Sequence, residues 1–163
     1  MDKLFVAQTE ASPDRLFDVV SDLTTFPQWI DLVHRVEPID DHQRGTSWLV
    51  TLRAQLGPFA RSKRLRMART VSRPPTDEGP GLVRFERSEI DGRKHAAWTM
   101  EVGIEPVDGD PAASLARCRL HYDGSMWTRL LEGRLEATAE RAVVGLQRLV
   151  GTVAQPTSGD QPA

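Results

Sequence analysis

The feature that most constrains how this chain can fold is a long amphipathic segment near its C-terminal end. From Trp127 to Val150 the apolar residues recur at helical spacing along one stripe, without a proline to interrupt them. The pattern predicts one helix of about 24 residues, roughly 36 Å long, with Gly151 as its stop signal. A helix that follows a whole run of strands must fold back onto their sheet. If the sheet curves strongly around that helix, an apolar cavity forms between them.

The segments before this helix alternate apolar and polar residues with a period of two, which is typical of strands. In Thr46–Ala54, for example, Trp48, Val50 and Leu52 share one face. The dipeptide Asp91-Gly92 is typical of a two-residue hairpin. The predicted strands are Leu4–Thr9, Val33–Ile39, Thr46–Ala54, Phe59–Arg73, Leu82–Ile90, Arg93–Glu105 and Leu115–Tyr122.

Two short helices are predicted between the first and second strands. The first begins with Ser12 as N-cap, Pro13 at the first helical position, and Asp14 near the positive end of the helix dipole. The second is capped by Asp22 or Thr24. The element order is therefore one strand, two short helices, six strands and one long helix.

Composition places the chain among ordinary soluble globular proteins, with 39% hydrophobic and 27% charged residues. A net charge of −2 offers no general attraction to nucleic acid. The sequence shows neither a signal-peptide pattern nor an apolar run of about 20 residues, so we expect a cytoplasmic protein without stable membrane insertion. Residues 1–151 are expected to form one domain, and residues 152–163 a disordered tail. The sequence leaves open whether the protein is a monomer or a homodimer.

Residue types that bind metals or act as nucleophiles are scattered along the chain. His34, His42, His95 and His121 lack metal-ligand spacing, and the single Cys118 has the strand parity of a small core residue. No phosphate-binding loop or nucleophile-elbow motif is present. The sequence thus predicts neither a metal nor a cofactor.

The strand Phe59–Arg73 carries a concentration of cations. If Leu65 and Met67 face inward, the alternation of side chains along the strand predicts which cations also face inward. In that register Arg61, Lys63 and Arg69 face inward, and Arg64 and Arg66 face outward. Two alternatives stay open: a solvated strand near the open end of the sheet, or an Arg69 that presents its guanidinium, with Lys63, to an apolar pocket. Such a guanidinium would bind a carboxylate, a phosphate or an enolate oxygen.

One further set of motifs runs along the chain: Ala11-Ser12-Pro13-Asp14-Arg15-Leu16-Phe17-Asp18-Val19-Val20-Ser21-Asp22 leading into Phe26-Pro27-Gln28-Trp29, then Gly45-Thr46, Trp98 and the long last helix. Together these motifs resemble those of the START/Bet v 1-like (SRPBCC) superfamily, and in particular its bacterial polyketide cyclase/dehydrase and lipid-transport group. The resemblance covers residues 3–150.

This resemblance implies an α+β helix-grip fold, in which a curved seven-stranded antiparallel sheet wraps around the long C-terminal helix and encloses a cavity. Strand parity independently indicates which side chains would line it, although a solid core remains the alternative for each residue. The predicted ligand-binding residues are Phe26, Trp29, Trp48, Val50, Leu52, Leu65, Met67, Arg69, Phe85, Trp98, Met100, Leu120, Tyr122, Trp127, Leu131, Leu135 and Thr138.

The resemblance also implies which residues would act if the protein were an aromatase/cyclase. Arg69 lies near the place of that group's inward arginine, and Thr70 or Ser62 would offer a hydroxyl. The group's tyrosine is replaced by Val33, which leaves Tyr122 on the last strand as the other catalytic candidate. The set of catalytic residues that the resemblance implies is therefore incomplete in this chain.

Three functions therefore stay open. The first is binding or transport of a small hydrophobic, lipid-like or polycyclic molecule, which requires only an apolar pocket with one or two polar groups. The second is a polyketide cyclase or dehydrase that uses the same cavity. The third is a protein-interaction or stress-response module, with Phe26, Trp29 and Trp127 as its contact patch.

Overall fold

A computed structural model describes residues 1–40, 45–125, 128 and 135–151. Its elements follow the order predicted from the sequence. They are β1 (Asp2–Thr9), α1 (Pro13–Val20), a short 3-10 helix (Leu23–Gln28), β2 (Val33–Ile39), β3 (Ser47–Leu56), β4 (Phe59–Arg73), β5 (Gly81–Arg87), β6 (Trp98–Val107), β7 (Asp110–Tyr122) and α2 (Leu135–Gly151). Except for residue 128, the predicted first turns of the long helix, residues 127–134, lie outside the described residues, and so does the tail 152–163.

The strands form one seven-stranded sheet in the order β1-β7-β6-β5-β4-β3-β2, and every neighbouring pair is antiparallel. Because β1 pairs with the last strand, its first residue comes close to the end of β7, and the Met1 amino group donates to the Tyr122 carbonyl at 2.6 Å. The sheet curves around α2, which packs mainly on β1 and to a smaller and equal extent on α1 and the 3-10 helix. This confirms the predicted helix-grip fold.

The two N-terminal helices begin where the capping residues predict. The Ser12 hydroxyl accepts a hydrogen bond from the Arg15 backbone N–H at 3.3 Å. The Asp22 carboxylate accepts one from the Thr24 N–H at 2.9 Å, which identifies Asp22 rather than Thr24 as the cap of the 3-10 helix. These side chains satisfy amide groups that have no partner within the helix.

The predicted tight hairpin at Asp91-Gly92 is wrong. Strand β5 ends at Arg87 and β6 starts at Trp98, so residues 88–97 form a longer connection. Gly92 does adopt a positive φ of 71°, and the Asp91 carboxylate accepts from the Arg93 N–H at 3.1 Å. The turn chemistry is therefore present, but it bends a loop instead of joining two strands.

Strand β5 ends early because a side chain replaces one of the backbone hydrogen bonds that pair β5 with β4. The Glu89 carboxylate accepts from the Arg66 backbone N–H at 3.3 Å, where a further residue of β5 would otherwise bond. The same oxygen accepts from the Arg87 Nε at 2.8 Å. Side-chain bonds of this kind compete with sheet pairing, and period-two alternation does not reveal them.

Buried side chains between the sheet and the helices form one continuous core. Within the described part of α2, Ala142, Leu146 and Val150 are buried, on the stripe that the helical spacing predicts. Leu16, Val19 and Val20 of α1 join the same cluster. No helix in the described ranges is both long and apolar enough to cross a membrane.

Candidate functional site

A cavity of about 160 Å³ lies between the concave face of the sheet, the 3-10 helix and α2. An engineered cavity of about this size, lined by aliphatic and aromatic side chains, stays dry and binds benzene. The lining is Lys3, Leu4, Phe5, Leu23, Phe26, Ile30, Leu32, Val33, Val50, Leu52, Leu65, Met67, Phe85, Trp98, Met100, Leu120, Glu136, Thr138, Ala139 and Ala142. Among the described residues, apolar side chains thus form nearly the whole wall.

The structure brings most of the predicted pocket residues together around this cavity. They are inward residues of neighbouring strands, placed side by side by the sheet register: Val50 lies opposite Leu65, and Phe85 opposite Met100. The predicted residues that line the cavity are Phe26, Val50, Leu52, Leu65, Met67, Phe85, Trp98, Met100, Leu120 and Thr138. Their binding of a ligand stays a prediction.

Two predicted tryptophans are buried but do not line the cavity. Trp29 packs against Phe26, with ring centres 4.7 Å apart, and Trp48 packs edge-on against Phe85 at 5.7 Å. Phe26 and Phe85 themselves meet edge-on at 5.7 Å. The phenylalanines therefore face the cavity and the indoles pack behind them, a difference in depth that strand parity cannot predict.

The same burial corrects the contact patch proposed for an interaction module. Phe26 and Trp29 are only 1% and 2% exposed, so neither offers a surface to a partner. The patch's third member, Trp127, lies outside the described residues, as do Leu131 and the side chain of Leu135.

Sequence reasoning missed the cavity residues on the edge strand and on α2. Phe5 has the inward parity of β1, and Ala139 and Ala142 lie on the apolar stripe of α2, so both patterns were present in the sequence. Lys3 and Glu136 are exposed, and they place charges at the solvent edge of an otherwise apolar wall.

Arg69 is on the inner face of β4, as predicted, but it does not line the cavity. Its guanidinium donates to the Ser21 carbonyl at 2.8 Å and to the Thr46 hydroxyl at 3.4 Å. It also lies 6.0 Å from the centre of the Trp48 ring. The side chain is thus engaged at the C-terminal end of α1, away from the position that a catalytic role would require.

Tyr122, the other catalytic candidate, is buried beside the cavity wall. Its ring lies 4.9 Å from that of Trp98, which lines the cavity, and it folds tightly over Gly124. A Cβ at position 124 would come within 2.0 Å of the Tyr122 hydroxyl oxygen. The ring is therefore held one layer away from the cavity.

Arg66 lies on the outer face of β4, as the alternation predicts, but it is buried rather than solvated. It is only 4% exposed, and its guanidinium donates to the Ser88 carbonyl at 3.0 Å. The chain that leaves β5 supplies this acceptor, which alternation along β4 alone could not indicate.

The thiol of Cys118 is fully buried on β7, and this burial raises its pKa to about 12. A thiol in that state is neither a nucleophile nor a metal ligand at neutral pH. Within the residues described, no group of three or more His, Cys, Asp or Glu side chains is placed to hold a metal ion.

Comparison with known families agrees with this architecture. Residues 9–148 match the family model described as polyketide cyclase / dehydrase and lipid transport. The chain belongs to this family. The match spans the region from the end of β1 to the last turn of α2, and thus every described cavity residue except Lys3, Leu4 and Phe5 of β1. No curated protein matches the chain in sequence.

Solved structures share this fold at low sequence identity. A START superfamily protein from Mycobacterium smegmatis is 18% identical with a TM-score of 0.63, over 91% of this chain and 98% of that one. The Zhui aromatase/cyclase from Streptomyces sp. R1128 is 10% identical with a TM-score of 0.59, over 92% and 93%. The di-domain ARO/CYC BexL of the BE-7585A biosynthetic pathway is 14% identical with a TM-score of 0.61, over 96% of this chain and 48% of that one.

Proposed function

We propose that this protein binds a small, mainly apolar molecule in the cavity between the sheet and α2. The observation that carries the proposal is the cavity itself, walled by aliphatic and aromatic side chains from all seven strands, the 3-10 helix and α2. Pockets of this composition, with few polar groups, are typical small-molecule sites. The family description, which names lipid transport, supports the same class of ligand.

The volume of the cavity limits how tightly a ligand can bind. A volume near 160 Å³ accommodates about one aromatic ring or a short aliphatic chain. For a ligand of about ten non-hydrogen atoms, a binding energy of about 0.55–0.7 kcal/mol per atom, which lies between the values typical of drug-sized and of very small ligands, corresponds to a dissociation constant of roughly 10–100 µM.

A polyketide cyclase or dehydrase that acts in the same cavity is the alternative, and the aromatase/cyclase neighbours favour it. Such an enzyme needs an acid and a base that converge on the substrate. Among the described residues, the ionisable groups of the cavity wall are Lys3 and Glu136, both exposed at its edge. Arg69 is engaged with the Ser21 carbonyl. We therefore place binding ahead of catalysis.

The test is a calorimetric titration with phenylbutanol, a neutral ligand with one aromatic ring and a short chain. Ala142 is 3% exposed and lines the cavity, so Ala142→Phe fills it from the side of α2. Val144 is 53% exposed on the same helix, and Val144→Phe is the matched control.

We expect one molecule to bind the wild type and the control alike, and Ala142→Phe to weaken binding at least tenfold while the fold is retained. Absence of saturable binding to the wild type would contradict the proposal. Equal weakening by both substitutions would contradict it as well, because binding would then not occur in the cavity.

A further inference from the structure

A cluster of charged side chains continues the inner face of the sheet beyond the cavity wall. Lys63 lies two residues before the cavity residue Leu65 on β4, and Arg87 lies opposite Met67 and two residues after Phe85. Inward side chains recur about every 7 Å along a strand. The cluster is therefore about one side-chain position beyond the apolar wall, on the same face.

Arg87 and Glu89 form the buried half of this cluster. The Arg87 side chain is 9% exposed and that of Glu89 is 20% exposed, and the Arg87 Nε donates to the Glu89 carboxylate at 2.8 Å. Arg87 also donates to the Ala96 carbonyl at 3.3 Å and lies 3.1 Å from His95 Nδ1. Glu89 accepts a second bond from the backbone N–H of Arg66. The Glu89 Oε1 atom thus accepts from Arg87 and from the Arg66 backbone, and not from Lys63.

Lys63 is the cation of this cluster that does not form an ion pair with Glu89. Within the described ranges, the Lys63 ammonium makes no ion pair, and it lies over the ring of Tyr122, 5.4 Å from the ring centre. Burial lowers the pKa of Lys63, the positive charge of Arg87 lowers it further, and Glu89 opposes this only partly. A partly desolvated ammonium beside a second cation favours the binding of an anion.

The aromatic rings connect this ammonium to the cavity. Tyr122 packs on Trp98 at 4.9 Å, and Trp98 lines the cavity. A molecule whose apolar body fills the cavity would pass Trp98 before its polar end meets Lys63. Lys63 is one inward side-chain position, about 7 Å, beyond the cavity residue Leu65. This separation corresponds to a linker of a few methylene groups between the apolar body of the ligand and its polar end.

We propose that Lys63 binds the carboxylate of the ligand, and that the natural ligand is therefore an amphiphilic monocarboxylic acid. Its apolar part fills the cavity, as in the function proposed above, on which this inference rests. Arg87 adds to the positive potential, while its own hydrogen bonds to Glu89 and Ala96 hold it in place. A monoanion balances the excess of one positive charge that Lys63, Arg87 and Glu89 leave together.

The test compares phenylbutanoate with phenylbutanol, which differ in the charge of the end group. Lys63→Met removes the ammonium and retains the unbranched side chain up to its ε position, whereas Lys63→Arg retains the charge. The control is Arg64→Met, which removes one positive charge from an exposed residue paired with Glu37 on the other face of β4. Dissociation constants are measured by calorimetry at low salt for all four proteins.

We expect the wild type to bind the acid at least tenfold more tightly than the alcohol. Lys63→Met is expected to remove this preference, and Lys63→Arg and Arg64→Met to retain it. Equal affinities of the wild type for acid and alcohol would overturn the carboxylate site but leave binding in the cavity intact. Failure of the wild type to bind either compound would overturn both proposals. Parallel loss of acid and alcohol binding in Lys63→Met would also overturn the site, because that loss would not depend on charge.

Discussion

The backbone of Trp29 packs directly against Gly145 of α2. A Cβ built at residue 145 would lie 2.9 Å from the Trp29 Cα and 3.1 Å from its Cβ. These separations are closer than packed carbon atoms tolerate, so only glycine allows this approach of the helix. The contact joins α2 to the chain that carries the cavity residues Phe26 and Ile30.

We therefore predict that Gly145→Ala destabilises the protein, although alanine favours helices by about 1 kcal/mol. Overpacking against the Trp29 backbone costs about 1–3 kcal/mol and is expected to outweigh that gain. Urea unfolding measures the difference. Gly151→Ala is the control, because a Cβ there meets no atom within 4 Å. A Gly145→Ala protein more stable than the wild type would show that α2 can move away from Trp29.

Arg69 is predicted to stabilise the fold rather than to bind ligand. Its charged hydrogen bond to the Ser21 carbonyl caps the negative end of α1, and bonds of this type contribute about 1.5–3 kcal/mol. Arg69→Met should lower the free energy of unfolding by an amount in this range and leave the affinities for phenylbutanol and phenylbutanoate within twofold of the wild type. A selective loss of acid binding, with stability unchanged, would assign the ligand's carboxylate to Arg69 instead.

Lys63 is predicted to cost stability at neutral pH. Because burial and Arg87 lower its pKa below the ordinary 10.5, the folded protein holds this proton less strongly than the unfolded chain does. The destabilisation that Lys63 causes therefore decreases as the pH rises from the lowered pKa of the folded protein towards 10.5, the pKa in the unfolded chain. Lys63→Met should raise the Tm at pH 7, and this gain should shrink in alkaline buffer. A lower Tm for Lys63→Met at pH 7 would mean that the contact with Tyr122 outweighs desolvation.

Cys118 is predicted to react only when the protein unfolds. Burial raises its pKa from 9.0 to about 12, so the folded protein retains the thiol proton where the unfolded chain releases it. The free energy of unfolding is therefore unaffected by the titration of Cys118 below pH 9. Above pH 9 it decreases by up to about 1.4 kcal/mol per pH unit, because the unfolded chain releases the thiol proton. Iodoacetamide at pH 8 should label Cys118 in urea and leave it unlabelled in native buffer. Rapid labelling in native buffer would contradict the burial of this thiol.

The sequence predicts the fold well because local signals and global topology agree in it. The N-caps Ser12 and Asp22 start the helices, and period-two alternation predicts Val33–Ile39 and Phe59–Arg73 with the bounds that the structure has. The hairpin at Asp91-Gly92 was predicted wrongly, because the side chain of Glu89 bonds to β4 and ends β5 early. A bond between residues 23 positions apart leaves no trace in a local pattern.

The candidate site is predicted less completely than the fold. Parity shows which face of a strand a residue lies on, and it correctly placed Leu65 and Met67 at the cavity. Parity cannot show depth, so Trp48 was predicted to line a cavity from which Phe85 separates it. Arg87 was overlooked although it has the parity of Phe85, because its position depends on where β5 ends.

The measurement that tests the central claim most directly is methyl NMR of protein labelled with ¹³C at its methionines during titration with phenylbutanol. The chain has four methionines, and the side chains of Met67 and Met100 line the cavity. Substitution of each by leucine assigns its signal. We predict saturable shifts of the Met67 and Met100 methyl signals at one ligand per protein, and their loss in Ala142→Phe. Methyl signals of Met67 and Met100 that stay unchanged at saturating ligand would contradict the account.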